Sequence, residues 1–312
     1  MIFLGVTRKS QPLKKTNLDA AFYKLQKTGL AENDFALDNS SKLIAGGFGL
    51  YSTANMVSGL GPIKTEFYRI ALTRAGSVNI KLGLESFHPR RNTVVFGFPG
   101  QIFTLWNRSP DFYAFYLLFT EDFVRQSLVL RNIREFPFMN YTGVQGFEIS
   151  DEEGMEMEHL VSKIDAEIKR NDRTTAASIE LYVQLMLLNA ERSYRRQQLS
   201  NQETARNGNA LFRRFIKLVS HYFLTHKKVS DYAQLLHVSA NHLNRVVRSE
   251  CSKTAHELIN EMILMEAKAL LRQSGSSVAE IAYGLEFADP SHFNKFFKNL
   301  TGVTPLQYRG NK

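Results

Sequence analysis

The chain has 312 residues, 44% hydrophobic and 22% charged, with 39 lysines and arginines against 30 aspartates and glutamates. That balance excludes a disordered or low-complexity polypeptide and leaves length for two or three packed domains. A formal net charge of +9 favours polyanionic partners, although charge alone does not separate DNA from RNA or an acidic membrane.

The opening I-F-L-G-V run is too short for a secretory signal. No apolar stretch approaches the roughly twenty residues needed to cross a bilayer, so a cytoplasmic protein without membrane association is expected. From about Leu30 to Thr120, short apolar and aromatic runs are broken by Gly, Pro and Asn, as in F-Y-R-I-A-L-T-R (67–74), V-N-I-K-L-G-L (78–84), T-V-V-F-G-F (93–98) and F-Y-A-F-Y-L-L-F (112–119). These runs predict close-spaced strands of a sandwich or small barrel, whose interior could hold a ligand. Phe67, Phe96, Phe98, Trp106 and Tyr113 are candidates to line such a pocket, although aromatics more often fill a core; the ligand itself is unspecified. Arg69, Arg74, Lys81, Arg90 and Arg91 could attract an acid or simply face water. A catalytic metal needs several well-spaced histidines and a carboxylate, and this stretch offers His88 alone, with His159 next along the chain. No metal, no cofactor and no catalysis are therefore expected.

Between residues 151 and 199 two helices are predicted, one with Leu160, Ile164 and Ile168 on its apolar stripe. The other carries Ile179, Tyr182, Val183, Met186, Leu187, Ala190 and Tyr194. Either stripe can pack against the strands or against a second copy of the chain. Residues 200–209, S-N-Q-E-T-A-R-N-G-N, are polar and contain glycine, which suits an interdomain linker.

The most informative pattern follows. Residues 242–248 read H-L-N-R-V-V-R and residues 292–298 read H-F-N-K-F-F-K. In each copy apolar residues at i, i+3 and i+4 form a buried stripe of a short helix, so Asn244, Arg245 and Arg248, or Asn294, Lys295 and Lys298, share the opposite face. Amides and cations on one exposed face suit reading of base edges and phosphates in the major groove. A solvated charged helix would explain one copy but not two with matching polar positions. Upstream of each copy lies another short helical pattern. Ser230 and Asp231 mark the start of the first and Ser277 that of the second. Ser239 and Asp289 are candidate N-caps of the helices that follow, with Pro290 suited to a first helical position. Small Ala233 and Ala282 stand where two helices of such a unit approach closely. Between the copies Leu258, Ile259, Met262, Met265, Ala269 and Leu270 predict a helix of roughly fifteen residues, ended by Gln273-Ser274-Gly275, that would hold the units over about 20 Å apart. Successive major grooves on one face of DNA are about 34 Å apart, a span the two units could bridge.

The region from about Ala210 to Arg309 resembles the DNA-binding domain of AraC/XylS-type transcription regulators. Residues 281–309 carry that family's order of Ile-Ala, Phe, Ser-x-Phe, Phe-Lys, Gly-x-Thr-Pro and Tyr-Arg. The resemblance implies two helix-turn-helix units joined by a long helix, with Asn241, Asn244 and Arg245 in the first and Ser291, Asn294 and Lys295 in the second facing bases, and Arg248 and Lys298 touching phosphate. It departs from the family at Glu286 and Ser252, where glycine is common, so a positive φ at these positions would be strained. Upstream, the order of strands, the F-G-F-P-G-Q run at 96–101, Trp106 and the strand ending at Phe119 are similar to the cupin-like domain of these regulators. The resulting expectation is an α+β multidomain chain: a cupin-like β-barrel or jelly roll with an N-terminal helical segment (1–150), helices for packing or dimerisation (151–199), a linker (200–209) and an all-α double helix-turn-helix domain (210–312). The resemblance further implies a ligand-responsive regulator of transcription, an activator, with double-stranded DNA, a small-molecule effector, RNA polymerase and a second copy as partners.

The charge is placed accordingly, since residues 209–312 hold 14 basic and 8 acidic residues against 25 and 22 in the longer remainder. Cys251, the only cysteine, cannot form an internal disulfide and reads as a structural residue rather than a redox sensor. Two alternatives remain open at this stage: a metal-free cupin enzyme, or a protein-binding adaptor, fused to the helical region.

Overall fold

A computed structural model describes residues 47–53, 59–141, 143–199 and 208–310. The expected N-terminal helical segment and residues 200–207 of the expected linker lie outside this range. Nine strands come first: β1 (Phe48–Ser52), β2 (Leu60–Lys64), β3 (Phe67–Ala75), β4 (Asn79–Leu82), β5 (Glu85–Phe87), β6 (Thr93–Gly97), β7 (Ile102–Trp106), β8 (Tyr113–Thr120) and β9 (Gly146–Glu148). They form a five-stranded sheet in the order β1-β8-β3-β6-β9 and a four-stranded sheet in the order β2-β7-β4-β5, with every pair antiparallel. The result is a jelly-roll-like sandwich of two sheets rather than a closed barrel. The 78–84 run, expected as one strand, ends at Leu82 because Gly83 takes φ +56° and turns the chain into β5.

Alternation along β3 divides the interior. Tyr68, Ile70 and Leu72 join the largest core, built with the helices that follow the strands. Phe67, Arg69, Ala71 and Thr73 point the other way, towards the four-stranded sheet. Both faces of β3 are thus covered, and Phe67 to Ile70 are all buried.

The covering helices are α1 (Glu121–Gln126), α2 (Asp151–Arg170) and α3 (Thr175–Arg196). Ser150 and Glu153 form a reciprocal capping box at the start of α2, satisfying two amide groups that the first turn leaves open. The predicted stripe of α3 is buried within the chain: Ile179, Val183, Met186, Leu187 and Ala190 are fully covered and Tyr194 nearly so. A second row, Leu181, Leu185 and Leu188, stays 37–58% exposed on the far side.

The C-terminal region is helical: α4 (Gly208–Tyr222), α5 (Val229–Leu235), α6 (Ala240–Cys251), α7 (Ala255–Gln273), α8 (Val278–Gly284), α9 (Pro290–Thr301) and α10 (Pro305–Gly310). One core gathers Phe215, Tyr232, Leu243, Val247 and Ile259; a second gathers Leu271, Ile281, Phe293 and Phe297. The connecting helix α7 has 19 residues, longer than expected, or about 28 Å at about 1.5 Å per residue. It ends within the expected Gln273-Ser274-Gly275 run, with Ser274 as a cap in extended conformation. No helix among the described residues is long and apolar enough to cross a membrane.

Helix α7 also lies against the sandwich. Strand β2 is an edge strand, so Lys64 has a free amide and carbonyl, and the Gln273 side chain takes both: Lys64 N donates to Oε1 at 2.7 Å, and Nε2 donates to the Lys64 carbonyl at 3.1 Å. Lys64 Nζ reaches Glu266 at 2.8 Å, Arg272 donates to the Gly61 carbonyl at 2.6 Å, and Lys81 pairs with Glu261. Ile102 of β7 is buried in the first helical core, with Leu84 packed against it. Burial raises the Glu266 carboxyl above the usual carboxylate range despite Lys64, and its Oε2 has no partner among the described residues. Glu261 goes the other way: burial acts to raise it, but Lys253 and Lys81 together hold it below that range.

Candidate nucleic-acid interface

The two helical units close their turns with the same pair of backbone bonds. In α5 the chain closes with Val238 N donating to the Ala233 carbonyl and His237 N to that of Gln234; in α8 Phe287 N donates to Ala282 and Glu286 N to Tyr283. Each is a Schellman closure, which needs one left-handed residue, here His237 at φ 56° and Glu286 at φ 57°. Ala233 and Ala282 are buried, as close packing of the paired helices requires. The next helix starts in each unit with a side-chain cap: Ser239 accepts from His242 N at 3.1 Å, and Asp289 accepts from Ser291 N at 2.7 Å and His292 N at 3.0 Å. The first helix of the first unit departs from expectation, since Lys228 is its N-cap. Ser230 lies within the first turn, and the Asp231 carboxylate accepts from Lys228 N at 3.3 Å.

Leu243, Val246 and Val247, and Phe293 and Phe297, bury the inner stripes of α6 and α9. Asn241, Arg245 and Arg248 on α6, and Ser291, Lys295 and Lys298 on α9, are exposed. Arg245 is held along its helix by a 2.9 Å contact between Nη2 and His242 Nδ1. The asparagines depart from the expected free face, because both are half-buried and engaged. Asn244 Oδ1 accepts from Ala255 N at 3.0 Å, tying α6 to the first residue of α7, and Asn294 Nδ2 donates to the Pro290 carbonyl at 2.9 Å. The open amide group at the start of α7 explains the first: a helix N-terminus takes whatever acceptor lies near it. An open cleft of about 540 Å³ runs beside α6, lined by Asn241, Asn244, Arg245, Arg248, Thr254 and His256. Thr254 and His256 escaped the sequence reading. The signal for them was the tight return after Ser252, which brings the start of α7 beside α6.

Both departures from the glycine pattern fall where the backbone is left-handed. Ser252, at φ 58°, closes α6 as Gly302, at φ 79°, closes α9. The Glu286 turn is held by Lys227, whose Nζ donates to the Leu285 carbonyl at 2.7 Å and the Glu286 carbonyl at 2.6 Å and lies 4.6 Å from the centre of the Phe287 ring. Burial lowers the Lys227 ammonium below the ordinary lysine range, with Glu286 opposing the shift. Lys227 precedes the first unit and grips the second. The Glu286 side chain itself is exposed. Cys251 is half-buried at the end of α6, its thiol donating to the Val247 carbonyl at 3.3 Å.

The five aromatic candidates for a ligand pocket do not meet in one. Phe96 and Phe98 belong to the helix-side core, against Phe138 and Tyr141. Tyr113 packs on the edge of that core, Phe67 sits in a small cluster with Tyr51 and Tyr116, and Trp106 is half-buried. The sandwich does hold a cavity, but its lining is Arg69, Phe103, Leu105, Phe112 and their neighbours. Phe96, Trp106 and Tyr113 alternate onto the other faces of their strands, and Phe67 shares the Arg69 face of β3 but packs with Tyr51 and Tyr116 without lining the cavity. Among the described residues no three His, Cys, Asp or Glu side chains come together as metal ligands would.

With this geometry in place, comparison with known proteins places the region. Residues 232–311 match the family profile described as a helix-turn-helix domain. The HTH-type transcriptional activator RhaS of Escherichia coli (strain SMS-3-5 / SECEC) is 28% identical over 155 residues, covering 49% of this chain and 53% of that protein, and RhaS of Escherichia coli O1:K1 / APEC matches equally. The chain thus spans about half the length of the curated relatives it matches. Among solved structures, unsaturated fatty acid bound wild-type ToxT from Vibrio cholerae strain SCE256 is 16% identical, with 90% of this chain and 97% of that one covered and a TM-score of 0.38. At that distance the superposition fixes nothing about this chain. The repeated fold units and the sequence match together identify residues 232–311 as a helix-turn-helix domain of the AraC type.

Proposed function

We propose that the protein is a sequence-specific DNA-binding regulator of transcription whose strand-rich front region senses a small molecule. The observation that carries this reading is the duplicated unit: two helices closed by the same backbone bonds, each presenting an exposed row of polar and cationic side chains. In the first unit Arg245 has the forked geometry that pairs with a guanine edge, and Asn241 lies beside it on the cleft. Arg248 and Lys298 lie a turn further along and suit phosphate. Asn244 and Asn294 support the reading helices through one amide atom each, Oδ1 and Nδ2, and in this reading the remaining amide group of each is what reaches a base. Ser291 and Lys295 are the base-facing pair of the second unit in this reading.

Sensing and reading are coupled in this proposal through α7. The same helix spaces the two units and rests on β2 through Gln273, Glu266 and Arg272, so a ligand that prefers one seating of the sandwich shifts how often the units are placed for DNA. We take residues 1–150 as the sensing unit, 151–199 as packing helices, 200–209 as linker and 210–312 as the DNA-binding unit. The likeness to RhaS, whose name records an activator, supports activation. Contact with RNA polymerase, pairing of two copies through the exposed Leu181, Leu185 and Leu188 row, and residence in the cytoplasm complete the proposal. Selection of bound fragments from a genomic library by the purified full chain tests it. Recovery of a shared motif with two half-sites about one helical turn apart is expected. Recovery of no motif, with binding equal on all duplexes, overturns it.

A further inference from the structure

The five cations noted on the strands fare differently in the fold. Arg74 pairs with Glu158 at 2.8 Å, Lys81 with Glu261, Arg90 with Glu148 at 3.2 Å and Arg91 with Asp151 at 3.1 Å. Arg69 alone faces inward, 8% exposed, and among the described residues no carboxylate stands within ion-pair distance of it. Its guanidinium carbon lies 4.0 Å from the centre of the Phe103 ring, a contact that offsets only part of the loss of water around a buried cation. Burial pushes the guanidinium down to about 10, with the Tyr116 phenol opposing the shift, so the group still carries its proton at neutral pH.

The guanidinium borders the sandwich cavity. Its volume is about 40 Å³, room for about three waters by the usual allowance per water, and the remaining wall is largely apolar, with Ile80, Val95 and Leu105. Thr73 also lines it, and its hydroxyl enters no hydrogen bond among the described residues. A buried cation, the hydroxyl residues Thr53, Thr73 and Tyr116, and a short apolar wall match one kind of occupant. We propose that the sandwich cavity binds a short-chain aliphatic monocarboxylate of two to four carbons, its carboxylate on Arg69 and its alkyl tail against Ile80 and Leu105. The inference deepens the ligand-responsive reading above and rests on it only for its regulatory consequence.

That consequence follows from alternation along the strands. Ile80 and Phe103 face the cavity, while their neighbours Lys81 and Ile102 face α7, through the ion pair to Glu261 and through the first helical core. An occupant that moves one face of β4 or β7 moves the other. Arg69 lies in β3, opposite Gly97, and so pins the ligand to the five-stranded sheet, whereas β2 and β7 of the other sheet carry the contacts to α7 described above.

Titration calorimetry and thermal unfolding of the full chain with sodium propionate test the site, with propionamide and sodium chloride as controls. Binding of one propionate per chain and a raised Tm are expected, with neither control reproducing them. Arg69→Met should weaken propionate binding by at least about tenfold, since a charge-assisted pair is lost, while Arg69→Lys retains part of it. The Met variant removes a buried charge that has no carboxylate partner among the described residues, so it should melt no lower than the parent, which separates loss of binding from loss of fold. Equal binding of propionamide, an equal effect of chloride, absence of propionate binding, or full binding by Arg69→Met would each overturn the proposal. The readout uses no DNA, so a chain that binds propionate but no specific duplex sinks the regulator and spares the site, and the reverse result does the opposite.

Discussion

The two helix-turn-helix units share a backbone and differ in charge and support. Each has a buried alanine and a left-handed closing residue in the same place, followed by a side-chain cap that stands one residue later in the second unit, because a tight turn between two packed helices leaves the backbone few alternatives. Their exposed rows diverge. The first presents arginines, whose planar fork reads a guanine edge, and a cleft completed by Thr254 and His256. The second presents lysines, compact charges suited to phosphate, beside an acidic cap and an exposed glutamate in its turn. The first unit also shares its core with Ile102 of the sandwich, whereas the second is held by α7 and Lys227. Under the proposed function the first unit's arginines weight it towards discrimination and the second unit's lysines weight it towards anchorage, with Ser291 and Lys295 as its base-facing pair.

The severest way to break this comparison is to empty each core. Phe293→Ala should destabilise the chain by about 3–5 kcal/mol and Leu243→Ala by about 2–5 kcal/mol, both side chains being fully buried. Denaturant unfolding gives the totals, and hydrogen exchange should place the first loss in α8–α9 and the second in α5–α6. Discrimination comes next. Arg245→Ala should cost about 1–3 kcal/mol of specific binding and relax preference at a single base pair, read from competition titrations on a panel of duplexes. The same loss on every duplex would assign Arg245 to the backbone and erase the contrast between units. The turns differ by smaller amounts. Glu286→Gly should stabilise by about 1 kcal/mol by relieving a left-handed residue, and Gly302→Ala should destabilise by about as much. Nothing lies within 4 Å of a Cβ built at Gly302, so that cost is one of backbone alone, and calorimetric melting measures both. Anchorage is the subtler property: Lys298→Ala should weaken all duplexes alike and reduce the salt slope of binding by about one. An unchanged slope would place its ammonium away from phosphate.

The helix between the units supplies a pH signature. The buried Glu266 carboxyl titrates above its unfolded value, so the folded chain binds more protons than the unfolded one between the usual carboxylate range and the raised value. Its contribution to stability therefore falls as pH rises through that window. Thermal melts of Glu266→Gln should lose that slope, whereas an identical pH profile would show that the carboxylate is fully compensated by Lys64.

Much of this was legible in the residues. The strand runs at 67–74, 93–98 and 112–119, the stripe of α3 and the repeated His-apolar-Asn-base pattern all appear where their spacing put them, since periods of 2 and 3.6 are local properties of the chain. The asparagines show where such reading stops. Spacing places Asn244 on the outer side of α6, but only the return of α7 reveals the open amide of Ala255 that captures it. Arg69 shows the same limit in a strand. Alternation separates the faces of β3 but does not say which meets water, and here neither does, because helices cover one and the second sheet the other.

What the sequence determined by itself is the set of elements and the duplicated unit, because capping, turn closure and amphipathic spacing act over a few residues at a time. Tertiary structure alone decided that a guanidinium faces a cavity with no counter-charge among the described residues, that β2 rests on the helix joining the units, and that Lys227 grips the second turn. The last two sets of contacts join residues 58 to 211 positions apart, and burial and pairing over such separations depend on how whole layers stack, which no local pattern records.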